Sequence, residues 1–163
     1  MQPPELDSLI SRFSELAPAG DGKGGLLPAA WGKAEWALLF ECADLRSVAS
    51  GQALIQQGDP ERTLYFVLRG SLEVIHSGNG MSLGALSKAT VGTVLGEIAF
   101  FDGQPRSATV WAIEDSLVAA ITLERFTAFE SRHPKLGRDL LFALGRVLAA
   151  RMRRTESRLG GNT

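Results

Sequence analysis

Hydrophobic positions change rhythm several times along the chain, and each change marks an element. Leu6, Leu9, Ile10, Phe13 and Leu16 fall at helical spacing behind Pro3 and Pro4, so the N-terminus predicts a short helix. Between Ala17 and Pro28 glycine and proline dominate, which predicts a flexible linker. From Ala29 to about Asp44, Trp31, Ala34, Trp36, Leu38, Leu39 and Cys42 predict a second helix with more than one apolar flank. From Leu45 to Ile121 the apolar runs are short, and turn residues interrupt them about every eight to twelve positions. Ala53–Ile55, Leu64–Leu68, Leu72–His76, Ser82–Leu86, Thr93–Leu95, Ala108–Ile113 and Leu117–Ile121 read as strands. Corners such as Gly58-Asp59-Pro60 and Ser77-Gly78-Asn79-Gly80 separate them, an arrangement that points to an antiparallel sandwich or barrel. No segment copies another, which argues against a propeller.

Helical period returns after Ile121. Leu123–Ser131 predicts a short helix closed at His133-Pro134, because the residue before proline is pushed out of the helical region. Pro134 then opens a longer helix whose apolar face is Leu136, Leu140, Leu141, Leu144, Val147, Leu148 and Met152. Arg151, Arg153, Arg154 and Arg158 load its last turns ahead of Gly160-Gly161.

Composition narrows the class without naming it. The 163 residues suit one domain with an appendage, and 45% hydrophobic with 21% charged residues is ordinary globular usage. Lys+Arg 17 against Asp+Glu 18 leaves a net charge of −1, so no global attraction to nucleic acid or an anionic membrane is expected. The single cysteine, Cys42, excludes an internal disulfide and fits a reducing compartment. Neither a membrane-length apolar run nor a secretion signal is visible, so a cytoplasmic location is expected. His76 and His133 are the only histidines, too few for the metal centre of a roll-shaped enzyme. No Ser–His–acid or Cys–His set has local support, so the chain is expected not to be an enzyme. Gly22-Lys23 lacks both a preceding strand and a following Ser or Thr, which removes a phosphate loop.

The residues that carry chemistry run from Gly96 to Val110. Gly96-Glu97 opens a single helical turn through Ile98 and the small Ala99, and Pro105-Arg106-Ser107-Ala108 precedes a strand. A short turn offers free backbone N–H groups to an anion, and Arg106 offers a planar, permanently charged donor fork suited to two phosphate oxygens. An ionised Glu97 only accepts, as a ribose hydroxyl requires, and Ser107 adds a small donor. A plain alternative is a Glu97–Arg106 ion pair stapling a loop to the barrel.

This block resembles the phosphate-binding cassette of cyclic nucleotide-binding domains, including the nine-residue step from Glu97 to Arg106. The likeness extends to Gly51–Asp59, to Leu64–Gly70 with Leu72-Glu73-Val74, and to Gly92, and covers roughly residues 36 to 158. It implies a mainly β fold with flanking helices: an antiparallel β-roll (a jelly-roll-like double-stranded β-helix, about 45–121), then a hinge helix and a long C-terminal helix (about 123–158). Residues 31–163 would form that domain, with residues 1–30 as an N-terminal helix and linker outside it. By resemblance, Glu97 would take the ribose 2′-hydroxyl and Arg106 the cyclic phosphate, with Gly96, Ile98, Ala99, Ser107 and Ala108 lining the site. Ser107, where cyclic-GMP binders of eukaryotes often carry Thr, leans toward cyclic AMP. Arg151 stands where a family member presents Thr to the base, making it a candidate base lid.

The implied function is a cyclic nucleotide sensor that moves its C-terminal helices and signals to an unidentified protein partner. Other readings are a degenerate roll serving as a protein-interaction scaffold, or a regulatory fragment of a transporter, channel or transcription factor. DNA-binding relatives append a helix-turn-helix after the long helix, and with only a few residues after Leu159 no DNA binding is expected of this chain alone unless it is a fragment. The stripe from Leu140 to Met152 fits either a homodimer seam or the cover of the roll.

Overall fold

The computed structural model describes residues 3–18, 28, 30–75 and 86–160. The predicted linker falls largely outside these residues, as do His76 and most of the predicted strand Ser82–Leu86.

Two four-stranded antiparallel sheets face one another. The first has the order β1 (Asp44–Val48), β8 (Ser116–Thr122), β3 (Thr63–Arg69) and β6 (Val94–Leu95). The second has the order β2 (Ala53–Ile55), β7 (Thr109–Ala112), β4 (Ser71–Ile75) and β5 (Leu86–Thr90). Val48, Tyr65, Val67, Leu95, Val118 and Ala120 point from the first sheet into the roll, against Ile55, Leu72, Ala89, Val110 and Ala112 of the second. The other face of the first sheet carries Leu64, Phe66, Leu68, Leu117, Ala119 and Ile121, and helices cover it. Strands β3 and β8 are thus buried on both faces, which is why each reads as an unbroken apolar run. On the second sheet Trp111 of β7 is exposed, as is Ile113 just after that strand.

The helices are α1 (Pro3–Leu16), α2 (Lys33–Phe40), α3 (Glu97–Asp102), α4 (Leu123–Arg132) and α5 (Pro134–Gly160). Helix α1 is part of the packed body. Its Phe13 is fully buried and meets Trp36, Phe40 and Phe66 edge-on at 4.8, 5.2 and 6.0 Å. The end of α1 also rests on the β5–β6 turn, where a Cβ on Gly92 (φ +92°) would lie 2.8 Å from the Leu16 carbonyl carbon. Thr122 caps α4 by accepting from Arg125 N at 3.2 Å, and His133-Pro134 separates α4 from α5 as predicted.

One strand escaped the pattern. β1 (Asp-Leu-Arg-Ser-Val) is an edge strand paired only with β8, and its first four residues are exposed, so it lacks both the continuous and the alternating apolar signature.

Candidate functional site

The cassette begins where β6 ends. Gly96 turns the chain with φ +84° and caps α3, a backbone state that side-chain-bearing residues rarely adopt. Its missing side chain is also a spatial need: a Cβ would lie 2.5 Å from Arg106 Nη1 and 2.6 Å from Thr63 O. Glu97 follows as the first residue of α3 and is buried; Ala99 is buried beside it and Ile98 faces outward. Gly103, in the left-handed region, closes the turn, and Arg62 reinforces its end by donating to Phe100 O at 2.6 Å.

Arg106 is reached through Pro105. The turn after β2 pins its backbone: Arg106 N donates to Asp59 O at 2.8 Å, and Gly58 N donates to Arg106 O at 2.9 Å. Its guanidinium donates to Gly96 O at 3.1 Å and to Thr63 O at 2.9 Å, and lies over the Tyr65 ring, 5.6 Å from the centroid. Nε is buried and has no hydrogen-bond partner among the described residues. Ser107 is exposed and Ala108 buried at the start of β7.

Glu97 and Arg106 are not paired with each other. Arg151, on α5, forms an ion pair with Glu97 and donates to Val94 O at 2.8 Å. The long helix is thereby tied to the first residue of α3 and to the strand before it. Arg106 has a different anion, Glu61, at 3.9 Å.

Glu61 and Tyr65 are site residues that sequence reasoning missed. Glu61 accepts from Thr63 Oγ1 at 2.8 Å and from Tyr65 OH at 2.9 Å, with Arg46 Nη2 at 3.8 Å. Burial pushes the Glu61 carboxyl up. The two hydrogen bonds and the charges of Arg46 and Arg106 outweigh that, and its pKa lies below the ordinary value. The Tyr65 phenol is pushed up to about 12, first by burial and then by the neighbouring Glu61 carboxylate. The available signal was Tyr65 itself, the only hydroxyl inside the run Leu64–Leu68. Glu61 sits in a polar turn and carries no signal of its own.

Among the described residues no three His, Cys, Asp or Glu side chains gather as a metal site, and no helix is long and apolar enough to cross a membrane. The arrangement offers one buried acceptor and one buried cation on either side of a short helix. That suits a ligand carrying both a hydroxyl and an anion.

Comparisons with known proteins place the chain in a family. The cAMP-activated global transcriptional regulator CRP of Salmonella typhimurium is 32% identical over 130 residues, 77% of this chain and 58% of that protein. The Pycsar effector protein BcPycTIR of Burkholderia cepacia is 34% identical over 114 residues, 69% of this chain and 36% of that protein. The chain therefore spans between about a third and three fifths of these two curated relatives. The crystal structure of a cyclic nucleotide-binding domain from Methylobacillus flagellatus superimposes with a TM-score of 0.81 over 97% of this chain and 86% of that one, at 24% identity, and so shares the fold. The family profile "Cyclic nucleotide-binding domain" matches residues 45–133, more than half the sequence, and the chain belongs to that family.

Proposed function

We propose that this protein is a cyclic nucleotide sensor, takes cyclic AMP in preference to cyclic GMP, and signals through the position of α4 and α5. The observation that carries this reading is Arg106: a buried guanidinium, backbone-anchored at both N–H and C=O, with Nε unpartnered beside the first turn of α3. The cyclic phosphate would take that arginine together with backbone N–H groups of Ile98, Ala99 and Ala108, while Gly96 keeps the approach clear and Ser107 adds its hydroxyl. The ribose 2′-hydroxyl would donate to Glu97.

The Arg151–Glu97 pair supports a route for the signal. A ligand hydroxyl arriving at Glu97 must share the carboxylate with Arg151, so ligand and α5 are coupled through one side chain. Arg151 would then move along the rim and lie over the base, with the packing of Phe126 and Phe129 on α4 adjusting to the shift. The preference for cyclic AMP is supported by Ser107 and by the CRP relative, whose name records activation by that nucleotide. The chain would bind its ligand without turning it over, in the cytoplasm, and pass the signal to a protein partner.

A second reading, favoured by the match to part of the BcPycTIR effector, makes this domain the regulatory portion of a larger effector or regulator. A homodimer through α5 fits either reading. The stripe that begins at Leu140 covers the chain's own core through the buried Leu140, Leu144 and Val147, so a homodimer would use the outer flank of α5, where Phe142 and Met152 are 69% and 65% exposed. A light-scattering mass that stays that of a monomer on concentration removes the dimer.

Calorimetric titration with cyclic AMP and cyclic GMP, on the wild type and on Arg106→Ala, tests the central claim. Micromolar or tighter binding, stronger for cyclic AMP and lost in the variant, is the expected result. Absence of heat with both nucleotides removes the sensor reading.

A further inference from the structure

A guanidinium whose side chain is only 2% exposed needs a counter-ion. The carbonyls of Gly96 and Thr63 orient Arg106, but they are dipoles and leave its net charge standing. Among the described residues the anion paired with it is Glu61, at 3.9 Å from Nη2. That carboxylate cannot swing away freely. Thr63 Oγ1 and Tyr65 OH donate to its two oxygens, and Arg46 stands 3.8 Å off on the outer side. Arg46 also donates to Tyr65 OH at 3.2 Å, and both guanidiniums lie 5.6 Å from the centre of the Tyr65 ring. Glu61 is therefore an anion held in a fixed place between two cations, one buried and one at the surface.

We propose that Glu61 is the resident counter-ion of Arg106 and sets the affinity of the site, stabilising the empty domain while opposing capture of an anionic ligand. This rests on the reading of Arg106 as the phosphate-holding arginine. A cyclic phosphate arriving there brings a second anion to a cation that already has one. The two anions repel across a few ångströms, and because Arg106 is buried while Glu61 is 44% exposed, solvent screens that repulsion in part. Arg46 tempers the cost, because it stays beside the carboxylate when Arg106 turns its charge to the ligand. Glu61 acts through Arg106 and is a positioning residue.

The test is calorimetric titration of cyclic AMP into the wild type, Glu61→Gln and Glu61→Asp, with melting of each ligand-free protein. Glu61→Gln removes the charge at nearly constant shape. It is expected to bind about three- to tenfold more tightly and to melt lower without ligand. Glu61→Asp keeps the charge and is expected to stay within about twofold of wild-type affinity. The gain in Glu61→Gln should narrow as ionic strength rises, since its source is Coulombic. Unchanged or weaker binding by Glu61→Gln, an equal gain in Glu61→Asp, or a gain indifferent to salt each overturns the proposal while leaving the sensor reading intact. Failure of all three proteins to bind overturns the reading of Arg106, and the proposal with it.

Discussion

The two ends of the cassette solve the same problem in opposite ways. Glu97 and Arg106 are both buried charges, and each needs compensation. Arg106 finds it within the roll and at its rim, from the carbonyls of Gly96 and Thr63 and from the half-exposed Glu61 in the turn before β3. Glu97 finds it outside, from Arg151 on a helix that follows the whole roll. One end is anchored to the strands of the roll, and the other to a helix that the proposed function makes the movable element. On that proposal a ligand bridging both ends would meet a fixed point and a movable one, which is what a sensor requires to turn occupancy into displacement.

The contrast is broken most severely at Gly96, where the two ends meet. Gly96→Ala places a Cβ against Arg106 Nη1 and Thr63 O and forces alanine to φ +84°. A loss of about 3 kcal/mol in urea unfolding is expected, with ligand binding abolished. A loss below about 1 kcal/mol would mean that the anchored end is softer than its hydrogen bonds indicate.

Next in size is the movable end. Arg151→Met leaves the buried Glu97 carboxylate without its cation and is expected to cost about 2 kcal/mol, discounted because Arg151 is itself part-exposed. Adding Glu97→Gln should restore most of that stability, since the orphaned charge is then gone. Additive losses in this double-mutant cycle would show that the two side chains are not coupled.

The smallest effect probes the anchored end by pH. The Tyr65 phenol is raised in the folded protein to about 12, above its ordinary value near 10. Its contribution is therefore complete below the unfolded value and is lost as pH climbs from about 10 to about 12. Tyr65→Phe should cost about 1 kcal/mol at neutral pH and flatten this alkaline decline. An unchanged alkaline profile in the variant would assign the decline to other groups.

Much of the candidate site was legible because it is local. The cassette from Gly96 to Ala108 is contiguous, so its charges, small residues and turn glycines can be read in order. The break between α4 and α5 was equally plain, since proline acts on its own neighbour. The apolar runs of β3 and β8 announced burial, and Leu64–Leu68 looks continuous because both of its faces are covered. Edge strand β1 was not legible, because its exposed residues leave no pattern. Nor was the place of the N-terminal helix: its apolar face predicts a helix but does not say that Phe13 enters the aromatic cluster with Trp36, Phe40 and Phe66.

By itself, then, the sequence determined the β-rich body, the helical ends and the charged residues that make a ligand site plausible chemistry. These follow from short-range rules: periodicity, turn residues and the donors and acceptors within one loop. Only the tertiary structure decided which charge meets which. Arg151 reaches Glu97 and Glu61 reaches Arg106 because the roll closes and α5 returns across it. Pairings between groups far apart in the chain depend on how the elements pack, and no local spacing encodes them.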